Sequence, residues 1–304
     1  MTNQPTASVR SSSVAVSAPA KINLILRILD RRPDGYHNLW SIMQTVALED
    51  EIRINQSSAH QDIRLVCDEV QLGADRSNLV YQAAAAVLQR AQRKVGLEID
   101  LRKRIPMGAG LGGGSSDAAA TILALNHLLQ LEWSQTEMAE VAQPLGSDVP
   151  FFLYGPTASI TGRGEIVRPL FIDGKKWVVL VNPGFGVETK WAYQELAAAR
   201  KAVRPLASNH QDLDRGHIQW SRVVPAAEND FEPPVYAKHP SLGRIKQTLL
   251  DRGAEMALLS GSGATVFGVF SLEASAKQAA EHMTAQKSLK VFVVPTCSGP
   301  ILVR

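Results

Sequence analysis

Pro106-Met107-Gly108-Ala109-Gly110-Leu111-Gly112-Gly113-Gly114-Ser115-Ser116-Asp117 is the stretch on which the reading of this 304-residue chain turns. Five of the seven positions from 108 to 114 are glycine, so the backbone there can turn its N–H groups toward one point. Asp117-Ala118-Ala119-Ala120 opens an apolar helix expected from Ser116 to Leu129, with Ser115 and Ser116 as its caps. Free N–H groups at a helix N-terminus, backed by the helix dipole, suit a polyphosphate. The two serine hydroxyls can add a hydrogen bond to phosphate or a ligand to Mg²⁺. No lysine follows the glycines, which excludes the GxxxxGK(S/T) loop. Gly108, Gly110 and Gly113 fit GxGxxG, but the strand before them alternates Leu97, Ile99 and Leu101 with Glu98, Asp100 and Arg102. The first strand of a dinucleotide-binding unit is buried on both faces and does not alternate in this way.

Outward from the loop, the pattern is one of short strands and helices. Upstream, Val14–Leu29 reads as a strand, Pro33-Asp34-Gly35 as a turn, 46–54 and 62–66 as strands, and Asn78–Lys94 as an alanine-rich helix. Downstream come a helix near 134–143 and strands at Pro150–Tyr154 and Ala158–Thr161. A new pattern begins near Lys176, with strand Trp177–Val181 stopped by Asn182-Pro183-Gly184. Helix 189–200 and a polar, proline-bearing connection to about 240 follow. The remainder reads helix 241–252, strand 256–259, glycine-rich loop, strand 264–270, helix 273–286 and strand 290–294. This order predicts an α+β fold in which mixed or antiparallel sheets pack on helices. The expected division is a disordered tail over 1–13, a first domain over 14–171 and a second over 172–304, with a cleft between the domains.

Composition removes several classes of function. Apolar residues make up 45% and charged residues 20%, an ordinary globular balance. The net charge is +3, with Lys and Arg scattered and no basic stripe for nucleic acid or an anionic membrane. No apolar run is long enough to span a bilayer. Cys67 and Cys297 sit far apart without CxxC or Cys/His spacing, as expected of reduced thiols in a cytoplasmic protein. No His/Cys/Asp/Glu cluster is spaced to hold a metal tightly, so any Mg²⁺ is expected to arrive with a nucleotide.

Four segments together carry a resemblance. PMGAGLGGGSSDAAA resembles the ATP-binding loop of the galactokinase/homoserine kinase/mevalonate kinase/phosphomevalonate kinase (GHMP) superfamily. APAKINLIL at 18–26, LGSDVPFFL at 145–153 and LSGSGATVFG at 259–268 resemble its other motifs, in order and spacing. The resemblance implies a two-domain kinase that moves the γ-phosphate of ATP to a hydroxyl group. Arg32-Pro33-Asp34-Gly35-Tyr36-His37, the triple glycine with double serine, and Gly162-Arg163-Gly164-Glu165 resemble the branch acting on a cytidine-diphosphate-linked polyol. Sibling kinases of homoserine or mevalonate, a related diphosphate decarboxylase, and a non-catalytic nucleotide- or RNA-binding module are the alternatives. Monomer and homodimer stay open.

The candidate chemistry centres on two residues. Lys21 stands inside the apolar run Pro19-Ala20-Lys21-Ile22, and a buried lysine wants a carboxylate partner. Asp148 lies between Gly146-Ser147 and Val149-Pro150, where a turn or helix-cap aspartate is the plain reading. The resemblance implies that Lys21 and Asp148 face each other across the transferred phosphoryl group, with Asp148 as base. Asn23, two residues from Lys21, shares its face of the strand and is a candidate hydroxyl or phosphate contact. By the same resemblance Tyr36 stacks on a cytosine, His37 hydrogen-bonds it, and Tyr193 closes the other side, although Trp191 is only two residues away. Asn78 and Lys103 match positions that hold adenine, or else are a cap and a surface charge. Gly261, Ser262 and Gly263 form a second tight turn supporting the phosphate loop and the substrate tail. Asn229-Asp230-Phe231-Glu232 resembles a family segment without an assignable chemistry.

Overall fold

The computed structural model describes residues 12–32, 37–199, 213–214, 216–284 and 288–304. The turn expected at 33–35 lies outside these residues, as does most of the expected tail. Ser13, at the end of that tail, already opens the first strand.

Strands β1 (Ser13–Arg31) and β2 (His37–Ser57) form a long antiparallel pair. β1 reads as one apolar run because both of its faces are covered. Its register shifts between Pro19 and Ala20 and again between Asn23 and Ile25, and each shift exchanges the two faces. Val14, Val16, Ala18, Leu26 and Ile28 therefore join the core beneath the helices. Ala20, Ile22 and Leu24, between the shifts, join a different core. Lys21 and Asn23 alternate with these three and so take the opposite face.

β3 (Ile63–Cys67), β4 (Gly96–Arg102), β5 (Thr157–Thr161) and β6 (Ile166–Pro169) complete this sheet in the order β3-β4-β2-β5-β6, with β1 also on β2. β3 runs parallel to β4 and the other pairs are antiparallel. α1 (Leu79–Arg90), α2 (Gly113–Leu128), α3 (Gln135–Ala142) and α4 (Val149–Tyr154) accompany it. α2 is alanine-rich and buried along most of its length, which lets β1, β2 and α1 approach its backbone closely. It begins three residues earlier than expected, with Gly112 at φ +70° as its N-cap. The glycines thus build the first turn, and Ser115 and Ser116 lie within it rather than capping it.

The strand expected over 150–154 is instead helix α4. Val-Pro-Phe-Phe-Leu-Tyr has strand composition, but six residues cannot reveal a period. Pro150 in the first helical turn, where its missing N–H costs nothing, favours the helix.

The second sheet follows β7 (Phe171–Ile172), a short strand paired with β9 (His217–Ile218). It comprises β8 (Trp177–Asn182), β10 (Met256–Leu259), β11 (Val266–Phe270) and β12 (Lys290–Pro295), all antiparallel, in the order β10-β11-β8-β12. α5 (Thr189–Ala199) precedes a segment expected as a polar connection, whose described part carries α6 (Trp220–Ala226) and α7 (Glu232–Lys238). α8 (Pro240–Asp251) packs on β10 and β11, and α9 (Glu273–Thr284) on β8 and β12. Val178, Leu180, Phe267 and Val269 share a core with Ala20, Ile22 and Leu24 of β1, so the two sheets are joined through apolar side chains. Residues 296–304 then return to the first sheet, where Cys297 N donates to Thr45 O and Arg304 exchanges backbone bonds with Ala15. Among the described residues no helix is long and apolar enough to cross a membrane.

The segment from Glu228 to Glu232 clasps β1. Leu26 N donates to Glu228 O, and Asp230 N donates to Leu26 O. Arg27 is 2% exposed and pairs with Glu228 at 2.7 Å and Asp230 at 3.4 Å. Asp230 Oδ2 also accepts from Ile28 N at 2.7 Å. Asp230→Ala removes one of the two carboxylates paired with a buried guanidinium and the side-chain acceptor of Ile28 N. It is expected to lower stability by about 3 kcal/mol, read as a shift of the urea midpoint at constant slope.

Candidate active site

The glycine loop is held by backbone from both halves of the chain. Lys21 N donates to Leu111 O at 2.9 Å, and Thr265 N donates to Ala109 O at 3.2 Å. Ser260 Oγ donates to Gly110 O at 2.9 Å. Gly110 has φ +76°, and a Cβ there would lie 2.0 Å from Ser260 O; no side chain fits. The loop walls a cleft of about 350 Å³. Pro106, Gly108, Gly110, Leu111, Gly112, Gly113, Gly114, Ser115, Asn78 and Lys103, all singled out from the sequence, line it together. Ser116 does not; it is fully buried behind the turn, and among the described residues its Oγ has no hydrogen-bond partner.

Beneath this cleft Lys103 is far from the surface charge it could have been. Its ammonium donates to Asp117 Oδ2 at 2.5 Å and to Asp50 Oδ2. Asp50 Oδ1 also accepts from the backbone N–H groups of Arg104 and Ile105, at 2.5 and 2.9 Å. Lys103 therefore ties the chain entering the loop to the helix leaving it. Burial works against the charge on Lys103, but the two carboxylates outweigh it and hold its pKa above the ordinary lysine value. Burial also pushes Asp117 up to about 7 despite the lysine beside it. Asn78 caps α1, accepting from Val80 N at 2.9 Å and donating to Gly73 O at 3.0 Å.

Lys21 stands between the cleft and a second hollow. A Cβ on Gly112 would lie 3.0 Å from Lys21 Cγ, so the aliphatic stem lies against the glycine loop. Its Nζ is 3.7 Å from Asp148 Oδ2 and donates to Asn23 Oδ1 at 2.7 Å. Burial lowers the Lys21 pKa and the Asp148 charge opposes that shift. Asp148 precedes α4 but makes no side-chain cap bond, and its carboxylate is one-third exposed, at 33%. Asn23, expected to touch a hydroxyl or phosphate, has both ends of its amide engaged inside the protein, because Nδ2 donates to Ser41 Oγ at 2.9 Å.

The second hollow, of about 830 Å³, is lined by Asp148, His37 and Tyr193 together with Leu39, Ser147, Arg163, Thr189 and Lys190. The His37 and Tyr193 rings stack at 5.3 Å and 25°. Burial, with Asp148 adding to it, pushes the Tyr193 phenol up to about 12, so it stays neutral. Trp191 turns away, packing edge-on to His239 beneath the Lys238 ammonium; of the two aromatics, Tyr193 reaches the hollow. Tyr36 lies outside the described residues. The second glycine turn closes the base of the site: Ser262 Oγ is 2.9 Å from Thr189 Oγ1, and a Cβ on Gly261 would lie 3.4 Å from Lys21 Nζ. On Gly263 a Cβ would press on Leu259 at 3.0 Å. Asn229 fixes this turn by donating to the carbonyls of Leu259 and Gly261 at 2.7 and 2.8 Å.

Sequence reasoning passed over Arg163, Thr189 and Lys190 as lining residues. Arg163 sits within Gly162-Arg163-Gly164-Glu165, a segment whose glycines were a usable signal. Thr189 and Lys190, at the start of an ordinary helix, carried none.

An anion-type glycine loop, a lysine and a carboxylate between two hollows, and a second glycine turn beneath them define a class. The GHMP kinases N terminal domain matches residues 78–156 and the GHMP kinases C terminal domain matches residues 201–288. The chain is a GHMP kinase. It is 43% identical over 279 residues to a 4-diphosphocytidyl-2-C-methyl-D-erythritol kinase of Syntrophotalea carbinolica, covering 91% of this chain and 96% of that protein. A Heliobacterium modesticaldum kinase of the same name is 42% identical, covering 88% and 90%. A crystal structure of 4-(cytidine 5'-diphospho)-2C-methyl-D-erythritol kinase superposes with a TM-score of 0.78 at 32% identity, over 93% of this chain and 98% of that one. The chain belongs to the 4-diphosphocytidyl-2-C-methyl-D-erythritol kinase family. The fold is shared more widely: a homoserine kinase of Cytophaga hutchinsonii gives a TM-score of 0.74 at 20% identity, covering 99% and 100% of the two chains.

Proposed function

We propose that this protein transfers the γ-phosphate of ATP to a hydroxyl of 4-diphosphocytidyl-2-C-methyl-D-erythritol, the 2-hydroxyl by family resemblance, in the non-mevalonate route to isoprenoid precursors. The observation that carries the reading is the position of Lys21, against Gly112 of the nucleotide-side cleft and 3.7 Å from Asp148 of the acceptor-side hollow. ATP phosphates occupy the glycine loop and the acceptor hydroxyl approaches Asp148. The hydroxyl oxygen attacks the γ-phosphorus, the bond to the β–γ bridging oxygen breaks, and ADP leaves. Asp148 takes the hydroxyl proton, and Lys21 offsets the charge that develops between them.

Mg²⁺ arrives with ATP, carried largely on phosphate oxygens, and supplies charge neutralisation there. Among the described residues no group of three or more His, Cys, Asp and Glu is arranged to hold a metal ion. Ser115, which lines the cleft, is a residue whose hydroxyl would be available to a phosphate-borne cation. The cytoplasm is the proposed location, and neither nucleic acid nor membrane is a proposed partner. The change of sheet between β6 and β8 supports a domain boundary near 172, with the return of 296–304 to the first sheet as its exception.

The test is ADP release with Mg-ATP and a panel of acceptors: the cytidyl polyol, the same polyol without its nucleotide, homoserine and mevalonate. Turnover with the cytidyl polyol alone is expected; efficient turnover of homoserine or mevalonate with none of the cytidyl polyol overturns the substrate. Tyr193→Ala removes a stacking surface for the base. It is expected to raise the acceptor KM about 5- to 150-fold with little change in the KM for ATP. Steady-state kinetics with each substrate varied in turn checks this.

A further inference from the structure

The amide of Asn23 lies between Lys21 and Ser41, and its orientation is fixed by proton counting. Ser41 is fully buried on β2, where it pairs with Leu26 just beyond the β1 register shift between Asn23 and Ile25. Its hydroxyl donates to Ile25 O at 2.6 Å. A carbonyl oxygen can only accept, and a serine hydroxyl has one proton. Toward Asn23 the Ser41 oxygen must therefore accept, and Asn23 must present Nδ2 to it. The other end, Oδ1, is then compelled to face the Lys21 ammonium. Without Ser41 the ammonium alone orients the amide, and Oδ1 is held against it less firmly.

We propose that Ser41 is a positioning residue for phosphoryl transfer, acting through Asn23 to hold the Lys21 ammonium, charged, toward Asp148. The inference rests on the catalytic reading of Lys21 and deepens it. Ser41 lines neither the cleft nor the second hollow as described and is separated from Lys21 by the Asn23 side chain, so it acts at one remove. Among the described residues two acceptors, Asn23 Oδ1 and Asp148 Oδ2, reach the ammonium. Asp148, ahead of α4, is the charged group that bears on it. The glycine loop offers Gly112, the second turn offers Gly261, and α4 offers the apolar ring of Phe152 beside it. Burial already lowers the Lys21 pKa, so each acceptor matters to its charge.

The experiment follows the Lys21 ε-carbon through a pH titration by NMR, alongside turnover. In Ser41→Ala the Lys21 midpoint is expected to fall, because the charged form loses a reliable acceptor. Turnover is expected to drop roughly tenfold, the scale of one hydrogen bond to a charged group, with the KM for ATP little changed. Ser41→Ala combined with Asn23→Ala is expected to be no slower than Asn23→Ala alone, since Ser41 acts through that amide. Ser41→Thr, which keeps the hydroxyl, is expected to restore the native midpoint. If Ser41→Ala does not fold, Asn23→Asp reads the same bond from the other side, and the added carboxylate is expected to raise the midpoint. An unmoved Lys21 midpoint in the folded variant, or fully additive losses in the double variant, overturns the proposal. The titration needs no substrate, so a native protein inactive on every acceptor would sink the kinase reading while leaving the Ser41–Asn23–Lys21 coupling separately measurable.

Discussion

Asp148→Asn is expected to lower turnover by at least about 10²-fold, the usual scale for loss of a general base, while leaving the fold and ATP affinity intact. The change is isosteric at a carboxylate that is one-third exposed and makes no helix-cap bond, so little structure depends on it. Two losses reinforce each other. An amide cannot accept the acceptor's proton, and it withdraws the charge that counteracts burial at Lys21. The sign follows directly: without that neighbour the lysine pKa falls further, so a smaller fraction is charged at any given pH. Rapid-quench kinetics and calorimetric ATP titration of the same sample separate chemistry from binding. A folded variant turning over within a few-fold of the native protein removes Asp148 from the reacting centre.

The other large effect belongs to Gly112. Valine there must adopt φ +70°, a left-handed conformation costly for a β-branched residue. Its Cβ would also press on Lys21 Cγ at 3.0 Å and Phe152 Cζ at 3.1 Å. Gly112→Val is therefore expected to weaken ATP binding at least about 10²-fold, roughly 3 kcal/mol, and to displace the lysine as well. Gly108→Ala is the control. It too has positive φ, +59°, but its added Cβ meets nothing within 4 Å, so only a modest backbone cost is expected. Calorimetry on both variants decides the matter: unchanged ATP affinity in a folded Gly112→Val protein contradicts the phosphate-loop assignment.

What could be read from the sequence divides by range. The glycine loop, the helix that follows it and the alternating strand β4 are local and show in their own residues, although the cap of that helix, Gly112, was misread as Ser115 and Ser116. Lys21 stood out because a charge inside an apolar strand calls for a partner, and Asp148 lies 3.7 Å from it; Tyr193 was singled out by resemblance, with Trp191 as its rival. Asp148 was singled out through the resemblance while its surroundings were misread: the aromatic composition of 150–154 outweighed a proline whose preference is positional. The roles of Asn229, Asp230 and Ser41 could not be read at all. Their partners lie on other strands or turns, from 16 to more than 200 positions away for the bonds to Ile25 and Ile28, and no spacing rule encodes them. Lys103 shows the same limit, since a lysine before a loop reads as a surface charge until two distant aspartates are folded against it.

The seating of Gly110 on Ser260 sets the order in which the nucleotide site can be made during synthesis. The two are separated by 150 positions. At roughly 5–20 residues per second, the ribosome finishes the loop some 8–30 s before it supplies the residues that shape it. In that interval the nascent chain carries every residue of the phosphate loop but not the backbone surface against which the loop is moulded. The loop therefore reaches the shape described only on a chain synthesised past Thr265.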